Sequence, residues 1–564
     1  MRWRIRTLPE QPVGSDAGLH PILGRILADR GLTDPDELRR FLHPDFDEHL
    51  HDPFLFRHMR TAVDRVSRAI DGHEPIVVYG DYDADGVCGA ALLVSVLRQL
   101  GASVTAYLPH REREGYGMNR DAVELFATQG TRLVITVDCG SSNVEEIALA
   151  NQRGIDVIVT DHHQQPQRIP DAVAILNPAF ADETYPFPFL SGAGVAYKLV
   201  LALKRTREHT LHPQEEKWWL DLVAISTVAD IVPLIGENRV LVHYGLQVIG
   251  KSRRPGLRAL LRTLNGRKVS TSTIAFQLAP RINAAGRLDH ADVAYRLLTT
   301  EDEQEATDLV GQLERLNRER QQITERIERE AREQLGDVTP ETRLLAAYRE
   351  DWPPGVVGIV AGHLANRYTR PAIIMGRVGD EIIGSGRSIP GFNITDALHA
   401  VSDHLSRYGG HAQACGFSLR DAAQVDAFLA AFHAVVAERL GDDLLETTLD
   451  IDAELGPDDL TMDFADAVHR LAPYGERMPV PIFASRALPI GGVRTVGQDG
   501  RHLQLFVRTQ SGRSLKFIGF GKGRLAQSLK PGDTVDVAYE IEINEWNGSR
   551  EPQLRIRDTR TPDV

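Results

Sequence analysis

Between residues 75 and 178 five short apolar runs (PIVVYG, SVTAYLP, RLVITVD, DVIVTD and AVAILNP) alternate with stretches of helical periodicity. This alternation predicts βαβ units and a parallel, doubly wound sheet, because parallel strands need crossover connections and few other folds accept the pattern. Such sheets place their sites beyond the carboxyl ends of the strands. The residues expected there are polar: Asp81, Asp83 and Asp85 in DYDADG, then His110 and Arg111, then Asp138, then Asp161 to His163.

Bulk properties narrow the class. At 564 residues the chain exceeds one core, and roughly three to five domains are expected. No run approaches the length of a membrane span, and the basic start MRWRIRTLPEQPVGSD has no apolar segment behind it, so neither a membrane protein nor a secretion signal is expected. Three scattered cysteines, Cys88, Cys139 and Cys415, form no disulfide framework and favour a reducing, cytoplasmic location. The net charge of −14 argues against adhesion to nucleic acid over the whole surface, yet residues 486–564 carry thirteen Lys/Arg against nine Asp/Glu. A basic module on an acidic body suits a local polyanion site.

Along the chain, residues 1–70 read as a helical region and 71–245 as the first α/β domain. Residues 246–340 end in one long charged helix with a narrow apolar seam, interrupted at Arg320. That helix is expected to join two domains, with a coiled-coil dimer as the alternative. A second α/β pattern covers 341–445, and strands separated by turn residues dominate 446–564, which suits a small β-barrel of the OB type.

DYDADG has three readings. As a calcium loop it fails, because Leu92 falls where the bidentate Glu of an EF-hand belongs and a strand precedes it. As a capping turn it would start the helix after it. As a metal site it gains from TVDCG and TDHHQ, which bring Asp138, Asp161, His162 and His163 to the same sheet edge. Carboxylates with one or two imidazoles suit Mn²⁺ or Mg²⁺, and four or more carboxylates carry enough charge for two ions, with a carboxylate such as Asp138 bridging them.

In order, DYDADG, VDCG, TDHH and STVADIVPL resemble the four motifs of the DHH phosphoesterase superfamily. SGAGVAYK and FQLAPRINAAGRL resemble later motifs of its RecJ branch, GSGRSIPGFN and YGGHAQACGFSL the DHH-associated domain, and LAPYGERMPVPIF the approach to a RecJ-type OB domain. The resemblance implies a single-stranded-DNA-specific 5′ to 3′ exonuclease of DNA repair and recombination, working by two-metal-ion hydrolysis. It implies Asp83, Asp85, Asp138, His162 and Asp230 as metal ligands, with Asp81 and His163 in support. Ser385 and Arg387 would form a pocket for the 5′-terminal phosphate, helped by Arg111. Arg281, Asn283 and Arg287 read as phosphate clamps, and His411 as a group reaching the scissile phosphate or leaving group. In the barrel, Phe506, Phe517, Phe520, Tyr539 and Trp546 are candidates to stack bases beside Arg508, Lys516 and Lys522, with about half expected in the core. Expected partners are single-stranded DNA, a helicase and a single-strand-binding protein, and a monomer is expected. Hydrolysis of small phosphate substrates and a ligand-free binding scaffold are the alternatives; the terminal barrel disfavours the first and the intact acid set the second.

Overall fold

The computed structural model describes residues 1–15, 18–207, 211–264, 266, 268–509, 511–546 and 549–561, without the side chains of 443, 444, 546 and 549. The chain forms two compact units. One holds Met1–Leu50, Pro233–Val240 and Thr448–Val564, the other His51–Val232 and Leu241–Thr447. The N-terminal region therefore divides, its first fifty residues folding with the C-terminal segment.

In the second unit the five apolar runs form the predicted parallel sheet, in the order Val104–Tyr107, Ile76–Gly80, Leu133–Val137, Asp156–Thr160, Ala174–Leu176. Both faces are covered, so the strands read as continuous apolar runs. Val77, Tyr79, Val134, Val157 and Val159 pack on one face with Phe126, Ile147 and their neighbours. Helices Ala84–Gln99 and Gly192–Thr206 pack against each other and on the sheet. Strand order reverses between Ile76–Gly80 and Leu133–Val137, and the crevice at such a switch point is where α/β sheets bind ligands.

The same unit carries a five-stranded mixed sheet in the order Arg407–His411, Ala414–Leu419, Glu381–Arg387, Ala372–Val378, Leu345–Tyr348. Helix Val425–Arg439 packs on it through Phe428 and Phe432, and helix Pro354–Tyr368 through Val357, Val360 and Leu364. The charged segment is one helix, Glu303–Leu335. It packs on helices Pro255–Arg262, Ala279–Leu288 and Asp292–Thr299, and also on Pro354–Tyr368 and strand Leu345–Tyr348. Its seam is thus covered by its own chain, as a connecting helix requires.

In the first unit, strand Phe483–Val496 pairs with His502–Arg508, which pairs with Ser514–Gly519. That strand pairs with Ser549–Arg560, which pairs with Thr534–Trp546, and the last returns to Phe483–Val496. Helices Pro21–Asp29, Pro35–Leu42 and Met462–His469 share its apolar core. Phe517 and Tyr539 lie in that core, whereas Phe520 is half exposed beneath the Arg555 guanidinium and Phe506 lies under Arg494. Lys516 is bonded to Glu551 at 2.6 Å, and the Trp546 side chain lies outside the described residues. A short strand, Arg2–Ile5, runs parallel to Thr448–Ile451. The sequence reading of 1–70 as helical misses it, because its partner is far away in the chain and nothing local marks the pairing.

Candidate metal centre and arginine cluster

Asp81, Asp138 and Asp161 occupy equivalent places, each the first residue past its strand. Each backbone N–H donates to the neighbouring strand, Asp81 to the Val137 carbonyl at 3.2 Å, Asp138 to Thr160 at 3.0 Å and Asp161 to Leu176 at 3.1 Å. The ladder therefore runs on by one residue and fixes all three carboxylates along one edge. Asp138 also turns into the left-handed region, with φ of 61°, where a non-glycine residue is strained and persists only when its surroundings hold it.

Asp83 caps helix Ala84–Gln99, its Oδ1 accepting from the backbone N–H of Asp85 at 2.8 Å and Gly86 at 3.3 Å. The capping and metal readings of DYDADG are therefore compatible. Asp85 is buried and accepts from Gly192 N and Ala193 N, both at 2.7 Å, and from Ser226 Oγ at 2.6 Å. Two of these donors open helix Gly192–Thr206, whose positive end favours the carboxylate. Close approach explains the glycines: a Cβ on Gly86 would lie 2.4 Å from Asp81 N, and one on Gly192 2.6 Å from Asp138 Cβ.

Three sets of side chains converge closely enough to hold an ion: Asp81, Asp83 and Asp138; Asp85, His162 and Asp230; and Asp138, His162 and His163. His162 Nε2 lies 3.0 Å from Asp138 Oδ1, 3.5 Å from Asp230 Oδ2 and 3.6 Å from Asp85 Oδ2. The buried Asp81 Oδ1 has no hydrogen-bond partner among the described residues. A buried carboxylate oxygen left bare, within a set of hard oxygen and imidazole donors, fits Mn²⁺ or Mg²⁺. Burial, and then the charge of neighbouring carboxylates, pushes Asp81, Asp138 and Asp230 well above the usual carboxylate range.

Asp161 behaves differently. Its Oδ1 accepts from the His162 and His163 backbone and lies 2.8 Å from His163 Nδ1, and its Oδ2 accepts from Ser141 N. Burial is the largest single influence and opposes its charge, but the His163 bond, the charges of His163 and His162 and the Ser141 N–H together outweigh it and hold Asp161 below the usual range. Burial likewise presses His163 down, yet Asp161 holds it at about 9. Asp161 is thus spent on orienting His163, which also meets the Tyr116 hydroxyl at 3.0 Å.

Among the residues expected to meet substrate, Asn283 Oδ1 accepts from Ala84 N at 2.7 Å, so it steadies the DYDADG turn. Arg281 is tied to Glu314 at 2.7 Å and to the Gln277 carbonyl. Arg287 donates to the Gly355 carbonyl at 2.9 Å, and burial, with Arg111 beside it, pushes it down to about 9. Arg111 stacks over Tyr82, 4.7 Å from the ring centre. Arg387 donates to Ser385 Oγ at 3.0 Å, and burial lowers it, with Arg111 adding to the shift. Among the described residues none of Arg111, Arg287 and Arg387 forms an ion pair. His411 stands exposed at the end of strand Arg407–His411, with no hydrogen bond or ion pair from its imidazole among the described residues. Sequence reasoning assigned no role to Gly192, Ala193, Ser226 or Tyr116. Ser226 carried a signal, since it lies one helical turn before Asp230 and shares its face.

Residues 75–227 match the DHH family N-terminal domain, 341–438 the DHHA1 domain and 451–558 the RecJ OB domain. The chain is 37% identical to the single-stranded-DNA-specific exonuclease RecJ of Bacillus subtilis over 99% of this chain and 70% of that protein. It is 35% identical to the protein of the same name from Escherichia coli over 96% of both. The crystal structure of RecJ from Thermus thermophilus in complex with Mn²⁺ superposes with a TM-score of 0.85 and 32% identity, covering 100% of this chain and 80% of that one. Its Mg²⁺ complex gives 0.79 and 31%, covering 100% and 79%. An acid-rich sheet edge built for hard cations and similarity spanning nearly the whole chain lead to one conclusion: this chain belongs to the RecJ family of single-stranded-DNA-specific exonucleases.

Proposed function

We propose that the chain degrades single-stranded DNA from its 5′ end and releases 5′-mononucleotides, with Mn²⁺ or Mg²⁺ as cofactor. The observation that carries this reading is the meeting of the ligand sets at Asp138 and His162. Asp81, Asp83 and Asp138 would hold one ion, and Asp85, His162 and Asp230 the other, with Asp138 shared. When bound, two such ions stabilise charge on the scissile phosphate and lower the pKa of the attacking water. The chain's own groups then set position. His163, held charged by Asp161 at neutral pH, offers a donor to a phosphate oxygen. Ser385 and Arg387, helped by Arg111, suit a terminal phosphate, and Arg287 a phosphate further along the strand, because guanidinium forks match phosphate oxygens. A terminal pocket at a fixed distance from the acids would set both exonuclease action and polarity. His411, exposed at the end of its strand, belongs to this proposal as a contact to the scissile phosphate or leaving group.

The division of labour follows the segments: hydrolysis in 71–245, support and connection in 246–340, terminus recognition in 341–445 and strand holding in 446–564. A helicase that exposes the strand, a single-strand-binding protein, a monomeric state and a cytoplasmic location complete the reading; three buried free cysteines suit the last. The test uses single and duplex DNA labelled at either end, with Mn²⁺, Mg²⁺ or EDTA, and the D138A variant. Loss of label from 5′-labelled single strands first, only with metal, is expected. Hydrolysis that persists in EDTA, or that starts at the 3′ end, would overturn it.

A further inference from the structure

The long helix Glu303–Leu335 has an inner face spaced alternately three and four residues apart. Ala306, Val310 and Leu313 are buried at its start, and Ile327 and Ala331 near its end. Between them the same face turns polar, with Asn317 and Thr324 buried and Arg320 half-buried. An apolar seam needs no arginine there, and the face gives it no acid. The neighbours one turn away are Leu316, Asn317, Ile323 and Thr324, all neutral.

The guanidinium is nevertheless held in place. Arg320 Nη2 donates to the buried Asn317 Oδ1 at 2.8 Å, while its Nε is buried without a hydrogen-bond partner among the described residues. Among the described residues it forms no ion pair, unlike Arg281, which Glu314 of the same helix neutralises. Helix Ala279–Leu288 packs alongside, Leu288 and Ile323 both border the apolar cluster that holds Ile327, and Arg320 lies near enough to Arg287 for the two charges to act on each other. Burial, and then the charges of Arg111, Arg387 and Arg320, press on Arg287, and Asp83 offsets them only in part. Gathering unpaired cations out of water is unfavourable unless an anion completes the group.

We propose that Arg320 is a substrate-binding residue, steadied by Asn317, that takes a backbone phosphate of the bound strand together with Arg287. This rests on the nucleic-acid substrate proposed above and adds a contact from the connecting helix, outside the terminal pocket. The test measures binding of fluorescent single strands with 5′-phosphate or 5′-hydroxyl ends to the full chain in Mn²⁺, in a D138A background that prevents cleavage. R320Q is expected to weaken both by about tenfold, as loss of a charge-assisted contact does. It should also flatten the salt dependence of log Kd by about 0.7, as expected for one phosphate contact on a single strand. R320K should keep the salt slope and bind with intermediate affinity. Unchanged affinity, a defect confined to 5′-phosphorylated strands, or a lower unfolding temperature with the salt slope intact would each overturn the assignment. If the unsubstituted chain binds single strands without hydrolysing them, the function fails, and the Arg320 comparison still stands on binding.

Discussion

The carboxylates at the sheet edge and the arginines around Arg287 are two crowds of like charge in one unit, held in opposite ways. The acids are fixed by backbone: three continue a strand ladder, Asp83 caps a helix, and Asp85 sits on the first N–H groups of another. The arginines are fixed by neutral oxygens, namely the Gly355 carbonyl, Ser385 Oγ and Asn317 Oδ1, or by an aromatic face. Backbone donors hold a carboxylate in place before any metal arrives. Neutral acceptors orient a guanidinium while leaving its charge for a phosphate. The first crowd therefore suits a cation, and the second has the chemistry to match the phosphate proposed for it.

The largest expected effect comes from the acids. D138A removes the group common to two ligand sets and should lower hydrolysis of labelled single strands by at least about a thousandfold, since metal stabilisation of the transition state is worth several kcal/mol. Next is G192A, which changes no charge: its Cβ would press on Asp138. A ten- to roughly hundredfold loss of Mn²⁺ affinity by calorimetric titration is expected, the range for disturbing groups behind a ligand. If G192A binds metal normally, backbone placement of the acids does not govern metal affinity.

R387Q should leave metal binding intact and lower the preference for 5′-phosphate over 5′-hydroxyl ends about tenfold, read from relative kcat/KM. An equal loss on both ends would place Arg387 outside the terminal pocket. The smallest effect is on pH. Because burial raises Asp81, Asp138 and Asp230, the metal-free fold holds protons that an ion must displace. The rise in unfolding temperature on adding Mn²⁺ should be greater at pH 8 than at pH 6, by a few degrees. A shift that shrinks as pH rises would contradict the direction assigned to these carboxylates.

Legibility differed between the two crowds for the same reason. The acids sit in short motifs directly after apolar strands, so periodicity alone carried Asp81, Asp83, Asp85, Asp138, His162 and His163 to one edge. Asp230 follows a helix and needed the family resemblance. The arginines come from a turn, a helix and a second sheet, and no local pattern separates Arg281, which Glu314 neutralises, from Arg287, which has no ion pair among the described residues. Nor could sequence reading separate the roles of Asp161 and Asp138, which follow their strands in the same way but meet different partners.

The sequence by itself determined the parallel sheet, the acid set at its edge, the long connecting helix and the strand-rich terminal module, because these depend on periodicity and on residues close together in the chain. Only the tertiary structure decided that the first fifty residues fold with the terminal module, that Gly192, Ala193 and Ser226 hold Asp85, and that Arg320 has no acid partner among the described residues. Each of these depends on segments brought together by the packing of whole elements, which local spacing does not encode.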